Sequence, residues 1–204
     1  MLASACQGEE YTMLELMLAA AAAAAAAQIS QPACPIDRQI YRLQADRHFT
    51  AGFARVDERL PYASHLAFWL KSPTRTYWFS FHAPNGYGGT VIMPDVAPEK
   101  MALTLEEDAP EPPAGGGDEE EAVMIAFDAF HADLSVYDAP PQAGDPAPAR
   151  IFARELGSAL WYNAPALAGD PTAQHESMPI SLFEPASCAP DRPKVQRVQP
   201  RLRE

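Results

Sequence analysis

Residues 65–82 read HLAFWLKSPTRTYWFSFH and contain two runs of alternating large apolar side chains. Large apolar side chains alternate with other residues on both sides of the central Ser-Pro-Thr-Arg segment, a pattern typical of two half-buried β-strands. The connection between them is two to four residues long, which suits a β-hairpin turn. The sequence therefore predicts an antiparallel hairpin here.

The register of this hairpin follows from matching its two apolar faces, because a slip of one residue would oppose apolar to polar side chains. The matched register pairs Leu70 with Tyr77, Phe68 with Phe79 and Leu66 with Phe81. On the opposite face it pairs Trp69 with Trp78, Ala67 with Ser80 and His65 with His82.

This opposite face has two interpretations. As a ligand site, stacked indoles suit a sugar ring or a peptide, and paired imidazoles suit a metal or a proton-linked role. The candidate residues are His65, Trp69, Trp78 and His82, together with Asn85 and Tyr87 of the glycine-rich turn that follows. As a packing surface, which is the interpretation we prefer, the face lies against a second sheet.

Further short runs with strand character surround the hairpin, at residues 40–43, 49–56, 90–93, 122–128 and 178–183. Closely spaced strands with turn signals predict a mainly β protein, either an antiparallel β-sandwich or a small barrel. One short helix is expected near 151–162. Proline, with 21 residues in 204, opposes long helices.

A single β-rich domain is expected over residues 28–191. Residues 99–121 hold nine acidic residues and one base, which predicts a flexible acidic loop. The spacing of a calcium-binding loop is absent from it. A Pro/Ala-rich loop is expected over 138–149, and a basic disordered tail over 192–204.

Residues 1–27 resemble a signal peptide because their second half, residues 16–27, is an alanine-rich apolar run. No Lys or Arg precedes that run. Translation starting at Met13 would remove two of the three acidic residues there. The run is too short for a transmembrane helix. The alternatives are export, to the periplasm or medium, or a leader without a targeting role on a cytosolic protein.

Cleavage near Ala27 would leave two cysteines, Cys34 and Cys188. An even pair in an oxidising compartment predicts a disulfide.

The chain lacks recognised catalytic, nucleotide-binding and Cys-x-x-Cys motifs. Its net charge of −12 disfavours a nucleic acid partner. The pairs Asp46/His48 and His131/Asp133 are too dispersed to predict a metal centre, and no cofactor is expected.

The sequence therefore favours an exported, non-enzymatic binding or interaction module of the cell envelope, not an integral membrane protein. The alternative is a small secreted hydrolase with a site around His82, Asn85 and Tyr87.

Overall fold

Eight antiparallel strands form a closed barrel in the part of the chain that the computed structural model describes, residues 34–84, 89–103 and 123–190. The strands are β1 (Gln39–Leu43), β2 (Thr50–Arg55), β3 (Leu66–Lys71), β4 (Thr76–His82), β5 (Thr90–Asp95), β6 (Ile125–Phe130), β7 (Arg150–Phe152) and β8 (Phe183–Cys188). Short helices follow β5 and β7: α1 (Pro98–Leu103), α2 (Leu156–Tyr162) and α3 (Ala164–Ala168). A 3₁₀ turn (Ile36–Arg38) precedes β1. Of the two expected architectures, the chain adopts the barrel.

The central hairpin has the predicted register over most of its length. Leu70 pairs with Tyr77, Phe68 with Phe79, Trp69 with Trp78 and Ala67 with Ser80. The pairing ends there, so the two outermost predicted pairs are not part of the ladder. The chain ahead of β3 turns so that the Ala63 N–H, 3.2 Å away, donates to the Phe81 carbonyl.

Two predicted element boundaries in the second half are wrong. Ile151, placed in a helix by its apolar spacing, belongs to β7, where it pairs with Ala129 and Phe183, and α2 begins only at Leu156. The strand predicted over 178–183 instead begins at Phe183. The segment before it packs along α2, since the Glu176 N–H donates to the Leu160 carbonyl at 3.1 Å.

The loops predicted at 99–121 and 138–149 are described by the structure to different extents. Helix α1 occupies residues 98–103, the start of the predicted acidic loop, and buries Met101. Residues 104–122, the leader 1–27 and the tail 192–204 lie outside the described residues. The loop over 138–149 is held against the barrel, where the Pro141 carbonyl accepts from Ser64 and the Pro148 carbonyl accepts from the buried Tyr41 hydroxyl at 2.8 Å.

The seam between β1 and β8 closes the barrel and carries the predicted disulfide. Five residue pairs join the two strands, from Gln39 with Cys188 to Leu43 with Phe183. Cys34 and Cys188 are bonded, across a sequence separation of 154. Arg38 and Ala189 extend the seam with a backbone hydrogen bond of 2.8 Å. The two ends of the barrel domain are thus covalently joined at the strand pair of longest sequence separation.

Candidate functional site

The barrel interior is packed with aromatic side chains. Phe53, Phe68, Phe81 and Phe127 are each at most 2% exposed, and neighbouring ring centroids lie 5.1–6.3 Å apart. These are the distances of edge-to-face and offset contacts in a well-packed core. The described interior is therefore a filled hydrophobic core.

The outer surface of β3, β4 and β5 carries three of the six sequence-predicted candidates, Trp69, Trp78 and His82. We call Trp69, Trp78, His82, Asp95 and the adjacent Tyr62 the tryptophan face. Trp78 is paired with Trp69 on one side and with Asp95 on the other. Both indoles and His82 are half-buried. The alternation of the central hairpin thus places Trp69, Trp78 and His82 on one surface, as predicted.

Trp69 leans towards β2, because Gly52 opposite it has no side chain. A Cβ atom on Gly52 would lie 2.6 Å from Trp69 Cζ2 and 2.9 Å from the Gln39 carbonyl oxygen. The expected stacking of the two indoles on each other is not seen among the described ring contacts. The indole of Trp69 instead covers the backbone of β2.

Trp78 and Tyr62 pack against a small second apolar cluster. Its buried members are Val56, Leu60, Ala67 and Met101. In the described part of the chain no second sheet lies against this face, contrary to the preferred expectation, and the covering residues there come from the β2–β3 loop and from α1. Trp69 and Trp78 both remain partly exposed.

His82 makes short-range contacts with its own strand and with Tyr62. Its Nε2 lies 3.0 Å from the Ser80 Oγ, and its ring meets the Tyr62 ring edge-on at 6.2 Å. Burial, together with a hydrogen bond to Asp95, raises the pKa of the Tyr62 hydroxyl. Among the described residues no carboxylate is hydrogen-bonded to His82. The Ser80–His82 pair therefore has no third member there.

The other three predicted candidates are not among the described residues of the tryptophan face. His65 is exposed and precedes β3; its carbonyl accepts from the Val56 N–H at 3.1 Å. Its predicted pairing with His82 is absent because the ladder ends at Ala67 and Ser80. Asn85 and Tyr87 lie outside the described residues.

The two His/Asp pairs noted in the sequence stabilise turns. His48 Nδ1 lies 2.8 Å from an Asp46 oxygen, and the His48 backbone N–H, which donates to that carboxylate, lowers the Asp46 pKa. Asp133 accepts from Ser135, which lowers the Asp133 pKa, while His131 stacks on Tyr137 at 3.9 Å. In the described part of the chain no three His, Cys, Asp or Glu side chains converge as metal ligands.

A buried polar cluster at the end of the β3–β4 hairpin has no counterpart in the sequence analysis. One oxygen of Glu176, which is 8% exposed, accepts from the hydroxyls of Tyr77 at 2.6 Å, Thr74 at 2.7 Å and Ser72 at 2.9 Å. Burial, followed by the bond to Glu176, raises the Tyr77 pKa. Since about a hundred residues separate these partners along the chain, no local signal predicts the cluster. It anchors the segment after α3 over one end of the barrel.

No described helix has the length and apolar character needed to cross a bilayer. Comparisons with protein-family models, curated proteins and solved structures find no match to this chain.

Proposed function

We propose that this chain is an exported binding module of the cell envelope, periplasmic or secreted, which holds its ligand on the tryptophan face and catalyses no reaction. The alanine-rich leader supports export. The Cys34–Cys188 disulfide supports an oxidising compartment, because thiols in the cytosol are kept reduced.

The observation that carries the binding role is the contrast between the two sides of β3 and β4. Inward side chains of these strands are fully buried, whereas Trp69 and Trp78 on the outer side keep part of their surface in solvent. Indoles that are half-exposed on a rigid sheet present apolar area at a low cost in conformational entropy. A sugar ring or a flat apolar group fits such a surface.

The closed barrel also narrows the mode of binding. Each described strand has a partner on both sides, with β7 and β8 joined only through Ile151 and Phe183. The groups that the outer surface offers to a ligand are therefore mainly side chains.

The test uses the three tryptophans, since Trp161 lies on α2 and is not a member of the tryptophan face, so it provides an internal reference. Oxidised protein labelled with 5-fluorotryptophan gives three ¹⁹F resonances, which Trp→Phe variants assign. The protein is titrated with neutral oligosaccharides, acidic oligosaccharides and short peptides. Shifts at Trp69 and Trp78 with Trp161 unmoved would support the proposal.

A panel that moves none of the three resonances, or Trp161 alone, would refute the binding role. Export is tested separately by the intact mass of protein from a fractionated host. A periplasmic or secreted species that starts near Gln28 with its disulfide formed would support export. A full-length, reduced species in the cytosol would refute it.

A hydrolase remains the second candidate because the Ser80 hydroxyl lies within hydrogen-bond distance of an imidazole nitrogen. A nucleophile of this kind needs a base that is itself oriented by a third group, and it needs access to substrate. Ser80 is only 3% exposed, which favours a structural bond.

A fluorophosphonate probe separates the two candidates because it labels activated serines covalently. We expect no labelling of wild-type protein, and no difference between wild type and Ser80→Ala. Labelling that is lost in both Ser80→Ala and His82→Ala would establish the hydrolase instead.

A further inference from the structure

We propose that the ligand of the tryptophan face is an acidic oligosaccharide, whose carboxylates are bound by cationic side chains beside Trp69. This inference rests on the proposed binding function and names its ligand class. The cationic side chains are Arg42, Lys71 and Arg47.

Barrel pairing brings Arg42 and Lys71 to one level of the outer surface. Arg42 pairs with Thr50, Thr50 with Lys71, and Lys71 with Thr76. We call these four residues the cationic row. Neighbouring strands lie about 4.8 Å apart, so Arg42 and Lys71, two strands apart, are separated by about 10 Å at their backbones. Both side chains are exposed.

Arg42 and Lys71 of the cationic row, and the nearby Arg47, form no ion pair among the described residues. Arg55, Arg59 and Arg75 each bond to an aspartate, whereas Arg42, Lys71 and Arg47 have no such partner there. Arg47, from the turn between β1 and β2, shares a surface groove with Arg42.

One carboxylate lines the groove, that of Glu184, which is the strand-pairing partner of Arg42 across the β1–β8 seam. Glu184 lies 3.6 Å from Arg150, and Asp46 is bonded to His48. Arg42, Arg47 and Arg150 thus outnumber the Glu184 carboxylate here, so on a chain with net charge −12 this part of the surface is locally cationic and attracts an anion.

The indole of Trp69 lies next to this row. It is two residues from Lys71 along β3, a distance of about 7 Å, and it covers Gly52, which is two residues from Thr50. An indole offers a flat apolar surface to the C–H face of a sugar ring, while the hydroxyls of Thr50 and Thr76 match sugar hydroxyls. Apolar, hydroxyl and cationic groups in one patch fit a sugar that carries a carboxylate.

Other anionic partners fit this surface less well. An acidic peptide matches the cations but lacks the sugar ring and ring hydroxyls that the indole of Trp69 and the hydroxyls of Thr50 and Thr76 fit. An anionic membrane acts on a whole side of the protein through long-range charge, which the net charge of −12 opposes. A short acidic glycan needs only the row and the indole.

The experiment titrates oxidised, 5-fluorotryptophan-labelled protein with hexagalacturonate and with its fully methyl-esterified form, which has the same rings without charge. We expect the acidic form to shift Trp69 and to bind more weakly as salt is raised, because exposed charges are screened. In the Arg42→Gln/Lys71→Gln variant we expect Kd to rise about tenfold, as two exposed charge contacts are lost. As a control, Lys100→Gln removes one positive charge from α1, outside the cationic row, and should leave Kd unchanged.

Equal binding of the esterified form, or an unchanged Kd in the double variant, would overturn this inference while leaving the binding function intact. Binding of poly-glutamate or of anionic phospholipid vesicles as tight as that of hexagalacturonate would also overturn it, since the sugar would then play no part. Absence of any shift at Trp69 and Trp78 with either sugar and with the peptides would refute the proposed function itself.

Discussion

Removing the Cys34–Cys188 disulfide should destabilise the barrel strongly without opening it. The bridge spans a sequence separation of 154 and joins the strand pair that closes the barrel. On the chain-entropy model a loop of this length stabilises the folded state by about 5 kcal/mol, because the bridge restricts the unfolded chain. Domains of this kind are stable by about 5–15 kcal/mol in total, so the loss is a large fraction.

The assay is urea unfolding of the oxidised wild type and of the Cys34→Ser/Cys188→Ser variant, followed by circular dichroism. With an m-value of about 2 kcal/mol/M, the midpoint should fall by about 2–3 M. The folded spectrum should be unchanged, because five residue pairs hold β1 to β8 without the bridge. Wild type with reductant should match the variant, and the variant should not respond to reductant. If the urea midpoint decreases by less than about 0.5 M, the stabilisation calculated from the loop length is wrong.

Three other perturbations test the packing around the site. Gly52→Ala should cost about 1–3 kcal/mol and shift the ¹⁹F resonance of Trp69, because its Cβ would lie 2.6 Å from the indole; an unmoved resonance would contradict this contact. Glu176→Leu should cost about 3 kcal/mol or more in urea unfolding, since it leaves three hydroxyls without their acceptor, whereas Tyr77→Phe should cost about 1 kcal/mol. Burial raises the pKa values of Tyr41, Tyr62 and Tyr77, so the unfolded chain loses these protons first; stability should fall as pH rises above about 10, and a flat profile there would refute the burial argument.

The hairpin was predictable because its information is local. Alternation over 66–70 and 77–81 defines two apolar faces, and only one register matches them. The same alternation predicts that Trp69 and Trp78 share one surface, and the strand pairing confirms this. The Cys34–Cys188 bridge was predictable for a different reason, since an even pair of cysteines leaves one pairing within the expected mature chain.

Boundaries failed where long-range contacts override local pattern. Ile151 has neighbours typical of a helix, yet β6 and β8 pair with it on both sides. Alternation likewise indicates that a face is apolar without indicating what covers it, so the choice between sandwich and barrel required the β1–β8 pairing.

Local pattern was enough to predict the β class, the central register and the outer aromatic residues, because period-two alternation is a local property. Long-range strand pairing was needed to establish that the interior is filled, that Trp69 covers Gly52, and that Arg42 and Lys71 lie at one level of the barrel. These facts depend on which strands are neighbours and on barrel closure, and pairings between distant residues leave no periodic signal in the chain.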